Sequence, residues 1–303
     1  MTAEEKKALK GQGFLCNRDG AHFNARVITG NGVIAAEQLA AVAQAARRHG
    51  NGQVALTSRM TLEIMGVPSE HIGPLKEELA QAGLETGGTG AKVRPVVACK
   101  GTVCVFGLID TQALGQELHE RFYKGWRQVK LPHKFKIAVG GCPNNCVKPD
   151  LNDIGIVGQR IPEFHDELCR GCKKCAIEAA CPCGAVSRGD DGRVSINQEA
   201  CSHCGRCVGK CPFKAVPGGR VGYKIYVGGR WGKKTRMGTA LKGLYTREQA
   251  VDMVEKAILL FKREAAPGER FGSLVDRLGA GRVQALLDSD ELMEQKEEIL
   301  ARE

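Results

Sequence analysis

The spacing of hydrophobic and polar positions changes several times along the chain, and each change marks an element. Residues 14–28 read as extended chain and end at the turn Thr29-Gly30-Asn31-Gly32. Over 37–49, Leu39, Val42, Ala43 and Ala46 fall on one helical face, and Gly50 supplies the stop. Two strand-length apolar runs follow, 54–57 and 62–67, and then a second helix over 70–82, stopped by Gly83. This β-α-β-β-α-β order predicts a ferredoxin-like half-domain, a fold name that implies no metal cluster. Residues 1–13 are polar and are expected to fray.

Further on, Lys134, Lys136 and Ala138 alternate with Phe135, Ile137 and Val139, so a strand here sends two ammonium groups to one face and three apolar side chains to the core. Strands are also expected at 154–157 and 221–227. Thr246 opens a helix with a capping box to Gln249, and Ala250, Val254, Ala257, Ile258 and Phe261 form its stripe. Residues 266–303 are expected to be a separate tail of short, increasingly charged helix.

The cysteines change the picture. There are fourteen. No charged segment followed by an apolar run suggests export, so metal ligation in a reducing, cytoplasmic compartment is expected rather than disulfides. Cys99 and Cys104 have four residues between them, Cys142 and Cys146 have three, and 37 residues separate the pairs. Four thiolates on two distant tight turns suit one cubane 4Fe-4S cluster; the competing zinc reading usually uses two-residue gaps. Cys201, Cys204, Cys207 and Cys211-Pro212 follow the C-x2-C-x2-C-x3-C-P spacing of bacterial ferredoxins, and Cys169, Cys172, Cys175 and Cys181-Pro182 repeat it with a longer last gap. Ligation in such pairs swaps, so Cys169, Cys172, Cys175 and Cys211 form one set and Cys201, Cys204, Cys207 and Cys181 the other. Cys183 competes with Cys181, and Cys16 is unassigned.

The stretch LPHKFKIAVGGCPNNC, residues 131–146, resembles the siroheme-binding core of the sulfite and nitrite reductases. The resemblance extends over roughly 14–265. It implies that Cys99, Cys104, Cys142 and Cys146 hold a 4Fe-4S cluster and that Cys146 bridges it to siroheme iron. The family's first pair usually has five intervening residues, so the loop here is one shorter. By matched position Arg26, Arg94, Lys134 and Lys136 resemble the substrate-binding cations and Arg59 a siroheme-carboxylate partner. Asn144 and Asn145 lie in the cluster turn. The glycine-rich loop with Arg230, Lys233, Lys234 and Arg236 resembles the segment that contacts the tetrapyrrole.

The expected fold is α+β. It comprises a ferredoxin-like half-domain (1–90), a siroheme/4Fe-4S core (91–160 and 218–265), an inserted ferredoxin domain with two 4Fe-4S clusters (161–217), and the tail (266–303). Net charge is +10. Basic residues are dispersed and aromatics sparse, which speaks against nucleic acid, and a carboxylate-rich tetrapyrrole is a better sink for the charge. No apolar run reaches membrane-spanning length. The expected activity is six-electron reduction of sulfite to sulfide by the dissimilatory or anaerobic kind of enzyme. Nitrite reduction to ammonia and a non-catalytic electron-transfer subunit are the alternatives. No nucleotide-binding fingerprint follows a strand, so an electron-donor protein or subunit is implied. A homodimer with sites shared across a two-fold axis is expected as well, or membership of a larger complex.

Overall fold

The structure, a computed structural model, describes residues 1–302. Its N-terminal unit is built from α1 (Ala3–Gly11), β1 (Phe14–Cys16), β2 (His22–Val27), α2 (Ala36–His49), β3 (Val54–Leu56), β4 (Leu62–Pro68) and α3 (Ile72–Gln81). The antiparallel sheet runs β1-β2-β4-β3. Apolar positions of β2 and β4, among them Phe23, Ala25, Val27, Ile64 and Val67, bury against Val42, Ala45 and Ala46 of α2 and Leu75 and Leu79 of α3. The expected fraying of 1–13 does not occur. Thr2 and Glu5 form a capping box that satisfies the first amides of α1, and Lys6 Nζ donates to the Gly20 carbonyl at 2.9 Å.

The second unit contains β5 (Val97–Ala98), α4 (Thr111–Leu118), β6 (Ile137–Gly140) and β7 (Ile154–Pro162). After an excursion holding α5 (Ala176–Ala180), β8 (Val186–Arg188) and β9 (Val194–Ile196), it resumes with β10 (Gly219–Val227), β11 (Thr239–Ala240) and α6 (Arg247–Glu264). The sheet order is β11-β10-β7-β6-β5. β5, β6 and β7 are parallel, whereas β10 pairs antiparallel with β7 from Gly219–Pro162 to Val227–Ile154. The chain therefore leaves and re-enters the sheet at one point, and residues 163–218 fold around a small apolar cluster of their own. No helix among the described residues is long and apolar enough to cross a membrane.

The expected separate tail is instead part of the core. It forms α7 (Phe271–Leu278), α8 (Ala280–Asp288), α9 (Glu291–Glu294) and α10 (Lys296–Ala301). Phe271, Leu274, Val283, Leu287, Leu292 and Ile299 are fully buried with α6 and the sheet. Their spacing makes short amphipathic faces whose abundant charges face water, which is why the segment read as detached. Phe135, Phe261 and Phe271 form an aromatic trio with centroids 5.2–5.7 Å apart. Phe135 sits between Lys134 and Lys136, so the trio anchors the backbone that carries both amines. Phe271→Ala is expected to cost about 3–5 kcal/mol of stability, the usual range for a buried aromatic, as read from denaturant midpoints.

Candidate cofactor and anion site

The two cysteine turns meet where glycine lets backbones touch. A Cβ on Gly101 would lie 2.8 Å from Gly141 Cα, and the Gly141 N–H donates to Cys99 Sγ at 3.1 Å. α4 supports this contact: Thr111 Oγ1 donates to the Cys99 carbonyl at 2.7 Å. Burial pushes the Cys142 thiol up, and Cys146, Cys99 and Cys104 all act on it electrostatically, so the four sulfurs share one neighbourhood. No three His, Cys, Asp or Glu side chains among the described residues gather closely enough to hold a single ion. A cubane does not need that convergence, because its cysteines stand at separate corners.

Beside this turn lies a cavity of about 280 Å³ lined by Arg59, Met60, Lys136, Cys146, Lys148 and Trp231, among others. It brings together three residues the sequence nominated: Arg59, Lys136 and Cys146. Three roomier clefts, about 330, 400 and 530 Å³, hold none of the nominated residues. Arg59 reaches across from the turn before β4. Its Nη1 donates to Asn152 Oδ1 at 2.5 Å and its Nη2 to the carbonyls of Pro95 and Ile137, while its Nε is buried without a partner. Burial lowers its pKa to about 10, with Asp153 opposing and Arg94 and Arg26 adding to the fall.

Arg26 and Arg94 converge on the Gly88 carbonyl, at 3.3 and 2.6 Å. Arg26 also pairs with Glu63 at 2.5 Å. Arg94 is lowered to about 10, first by burial and then by Arg26 and Arg270. Lys134 and Lys136 are both lowered, chiefly by burial; Lys136 falls to about 8, helped by Arg59 and Lys134. Like charges are thus held together at the expense of their protonated forms, an arrangement that suits an anion.

The remaining nominated residues divide. Asn144 is exposed, whereas Asn145 adopts a left-handed φ of 58° and donates to Asp150 Oδ1 at 2.9 Å, holding the turn after Cys142. Lys233 and Lys234 are exposed. Arg230 donates to the Lys234 carbonyl and to Ser273 Oγ. Arg236 is engaged on every side, pairing with Asp276 at 2.8 Å and donating to the Gly228 carbonyl and Thr239 Oγ1, so it locks the loop onto α7. In the excursion, Cys181, Cys201, Cys204 and Cys207 line one cavity together with Cys183. Cys169, Cys175 and Cys211 pack in the neighbouring apolar cluster, and Cys172 is half-buried.

Sequence reasoning missed Asn152, Asp153, Arg270, Lys148 and Trp231. Trp231 stands inside the glycine-rich loop already singled out, and an aromatic beside three glycines was a usable signal. Asp153 and Arg270 carry none, because they become neighbours only through tertiary packing.

The matching family models are described as the nitrite and sulphite reductase 4Fe-4S domain, over residues 89–296, and the nitrite/sulfite reductase ferredoxin-like half domain, over 17–82. This chain belongs to the nitrite and sulfite reductase family. A coenzyme F420-dependent sulfite reductase of Methanocaldococcus jannaschii is 30% identical over 236 residues, covering 77% of this chain but only 37% of that protein. A component of the anaerobic sulfite reductase of Salmonella typhimurium is 29% identical, covering 82% of this chain and 78% of that one. The crystal structure of dissimilatory sulfite reductase I matches with a TM-score of 0.71 at 21% identity, covering 89% of this chain and 70% of that chain, and shows the same fold.

The family's group is siroheme coupled to a 4Fe-4S cluster. The residues present fit it: the buried Nε of Arg59 has no partner at a cavity that also carries Lys136 and Cys146, and the buried Nε atoms of Arg94 and Arg270 are likewise without a partner. Arg59→Ala is expected to lower siroheme retention to less than half, read as the ratio of tetrapyrrole absorbance to protein, while leaving the non-haem iron content unchanged.

Proposed function

We propose that the chain is the catalytic subunit of a siroheme sulfite reductase of the dissimilatory or anaerobic kind. It reduces sulfite to sulfide with six electrons from a donor protein. The observation that carries this reading is the cavity where Cys146, Lys136 and Arg59 meet, backed by the two touching turns that hold Cys99, Cys104 and Cys142. Siroheme, when bound, supplies the electron-rich iron at which the anion is reduced. The protein's part is electrostatic: Lys134, Lys136, Arg94 and Arg26 neutralise the anion and polarise its bonds to oxygen, and a lysine ammonium releases protons as oxygen leaves.

Electrons enter through residues 161–217. Three contacts support that route. Gly158 of β7 lies against the Gly141 carbonyl, where a Cβ would come within 2.5 Å, and two residues on the Arg160 N–H donates to the His203 carbonyl at 2.7 Å. A strand advances about 7 Å over two residues, so β7 sets the Cys142 turn close to the Cys201–Cys207 run. Arg206 within that run also stacks on Phe106, two residues after Cys104, at 5.2 Å. The donor is a separate protein, and a second copy of this chain is the proposed partner across the open cavity.

Anaerobically purified protein tests the reading. It should carry siroheme plus about twelve non-haem irons in three cubanes, and turn over sulfite in preference to nitrite with a reduced low-potential donor. Preference for nitrite would move the assignment to nitrite reduction. Loaded protein inert to both anions would make it a non-catalytic subunit.

A further inference from the structure

Several parts of the site are tied to one short segment, residues 150–153, between the cluster turn and β7. Asn152 Oδ1 accepts from Arg59 at 2.5 Å. Asp153 Oδ2 accepts from the Lys136 backbone N–H at 2.9 Å, and the Asp153 carbonyl accepts from the Gly228 N–H at 2.8 Å, where the glycine-rich loop begins. The Asp150 carbonyl accepts from the Gly238 N–H at 2.7 Å, where that loop ends. Both carboxylate oxygens of Asp153 face Arg270 Nη2, at 3.1 and 3.3 Å.

Asp153 is fully buried, and its charge acts on Arg59, Arg94, Lys134 and Lys136 as well as on Arg270. It is the carboxylate these five cations share; Arg26, farther out, has Glu63. Attachment of α7 does not call for such a pair, since Phe271, Leu274 and Val275 already bury it in the core. Buried ion pairs often contribute less to stability than apolar residues of the same volume would. A role in arranging the site accounts for the pair better than a role in holding the fold.

We propose that Asp153, with Arg270 as its counter-ion, is the positioning residue of this site. It fixes the Lys136 backbone and the start of the 228–238 loop in one place, and it supplies the negative charge that lets five cations converge. The inference deepens the reductase reading, and one arm of its test stands apart from turnover.

The full-length chain is compared with Asp153→Asn, Arg270→Gln, Arg270→Lys and the double variant Asp153→Asn/Arg270→Gln. The first arm labels amines with acetic anhydride before any cofactor is supplied and quantifies Lys136 by peptide mass spectrometry, with exposed Lys76 as reference. Labelling of Lys136 should rise at least about threefold in Asp153→Asn, as the local structure opens and the amine loses the carboxylate that favours its protonated form, and stay near wild type in Arg270→Lys. The second arm uses siroheme-loaded protein. Sulfite kcat should fall about tenfold or more in Asp153→Asn, and the double variant should regain melting temperature without regaining kcat.

A purely structural pair predicts the opposite: the double variant recovers kcat together with stability, and that result overturns the proposal. Unchanged Lys136 labelling in Asp153→Asn does so as well. If Asp153→Asn does not fold, Arg270→Gln carries the same two readouts in the same direction. Loaded wild type that reduces neither sulfite nor nitrite would sink the reductase reading alone, and labelling would still decide the positioning role.

Discussion

Cys146→Ser should lower sulfite turnover by about a thousandfold or more and remove about four irons per chain, leaving the iron of the 161–217 segment in place. The side chain is exposed at the cavity that also holds Arg59 and Lys136, and the cysteines proposed to share its cluster, Cys99, Cys104 and Cys142, sit on turns joined by the Gly101–Gly141 contact. A serine hydroxyl is a poor ligand for iron and offers no thiolate to couple a cluster to a second iron centre. The fold should survive, because Cys146 contributes to no apolar core; the melting temperature should move only slightly. Metal analysis, the tetrapyrrole spectrum and turnover on the same preparation separate the outcomes. Loss of turnover with full iron content would leave Cys146 in catalysis but outside cluster ligation. Full turnover would remove the coupled centre from the mechanism. Within the excursion, Cys181 and Cys183 line the same cavity, with sulfurs 3.8 Å apart, and the same iron count on single serine variants assigns the ligand.

How much of this was legible depended on how local each feature is. The two helices of the half-domain, the strands around them and the capped α6 carry their own period and caps, and they stand within a few residues of where the pattern placed them. The strand expected to carry Lys134 and Lys136 begins only at Ile137; Phe135 makes a single bridge to Val93, and only the alternation of buried Phe135 with the half-buried lysines survives. α1 was overlooked because its capping box was outweighed by its polar composition. The C-terminal helices were misread because their apolar positions are few per helix and reach the core only by stacking on α6. Cysteine spacing marked the ligand sets, since turn geometry is local. Asp153 could not be found that way: its partners lie 17, 75 and 117 residues away, at Lys136, Gly228 and Arg270. Arg236 shows the converse, a motif residue whose guanidinium is taken up in holding the loop to α7.

Lys136→Ala should depress sulfite kcat by about a hundredfold, the size expected when a positioned acid or charge stabiliser is removed, with siroheme content unchanged. The pH dependence then identifies the cause. Burial, together with the charges of Arg59 and Lys134, lowers the Lys136 amine from its ordinary 10.5 to about 8, against the pull of Asp153. Its ammonium is therefore present below about pH 8 and lost above it, so kcat/KM should fall on the alkaline side of about 8. Stability moves the other way for this group. Between the folded and unfolded values the unfolded chain binds the proton more tightly, so folding is favoured as pH rises through that window. A fall in rate caused by unfolding would bring a falling melting temperature, whereas titration of Lys136 contributes a rising one. Lys136→Arg keeps its charge to far higher pH, so the alkaline limb should shift upward by more than one unit or vanish, even if the maximal rate drops. An unmoved limb in Lys136→Arg would assign the titration to another group, with Lys134, two residues earlier and also lowered by burial, the next to substitute.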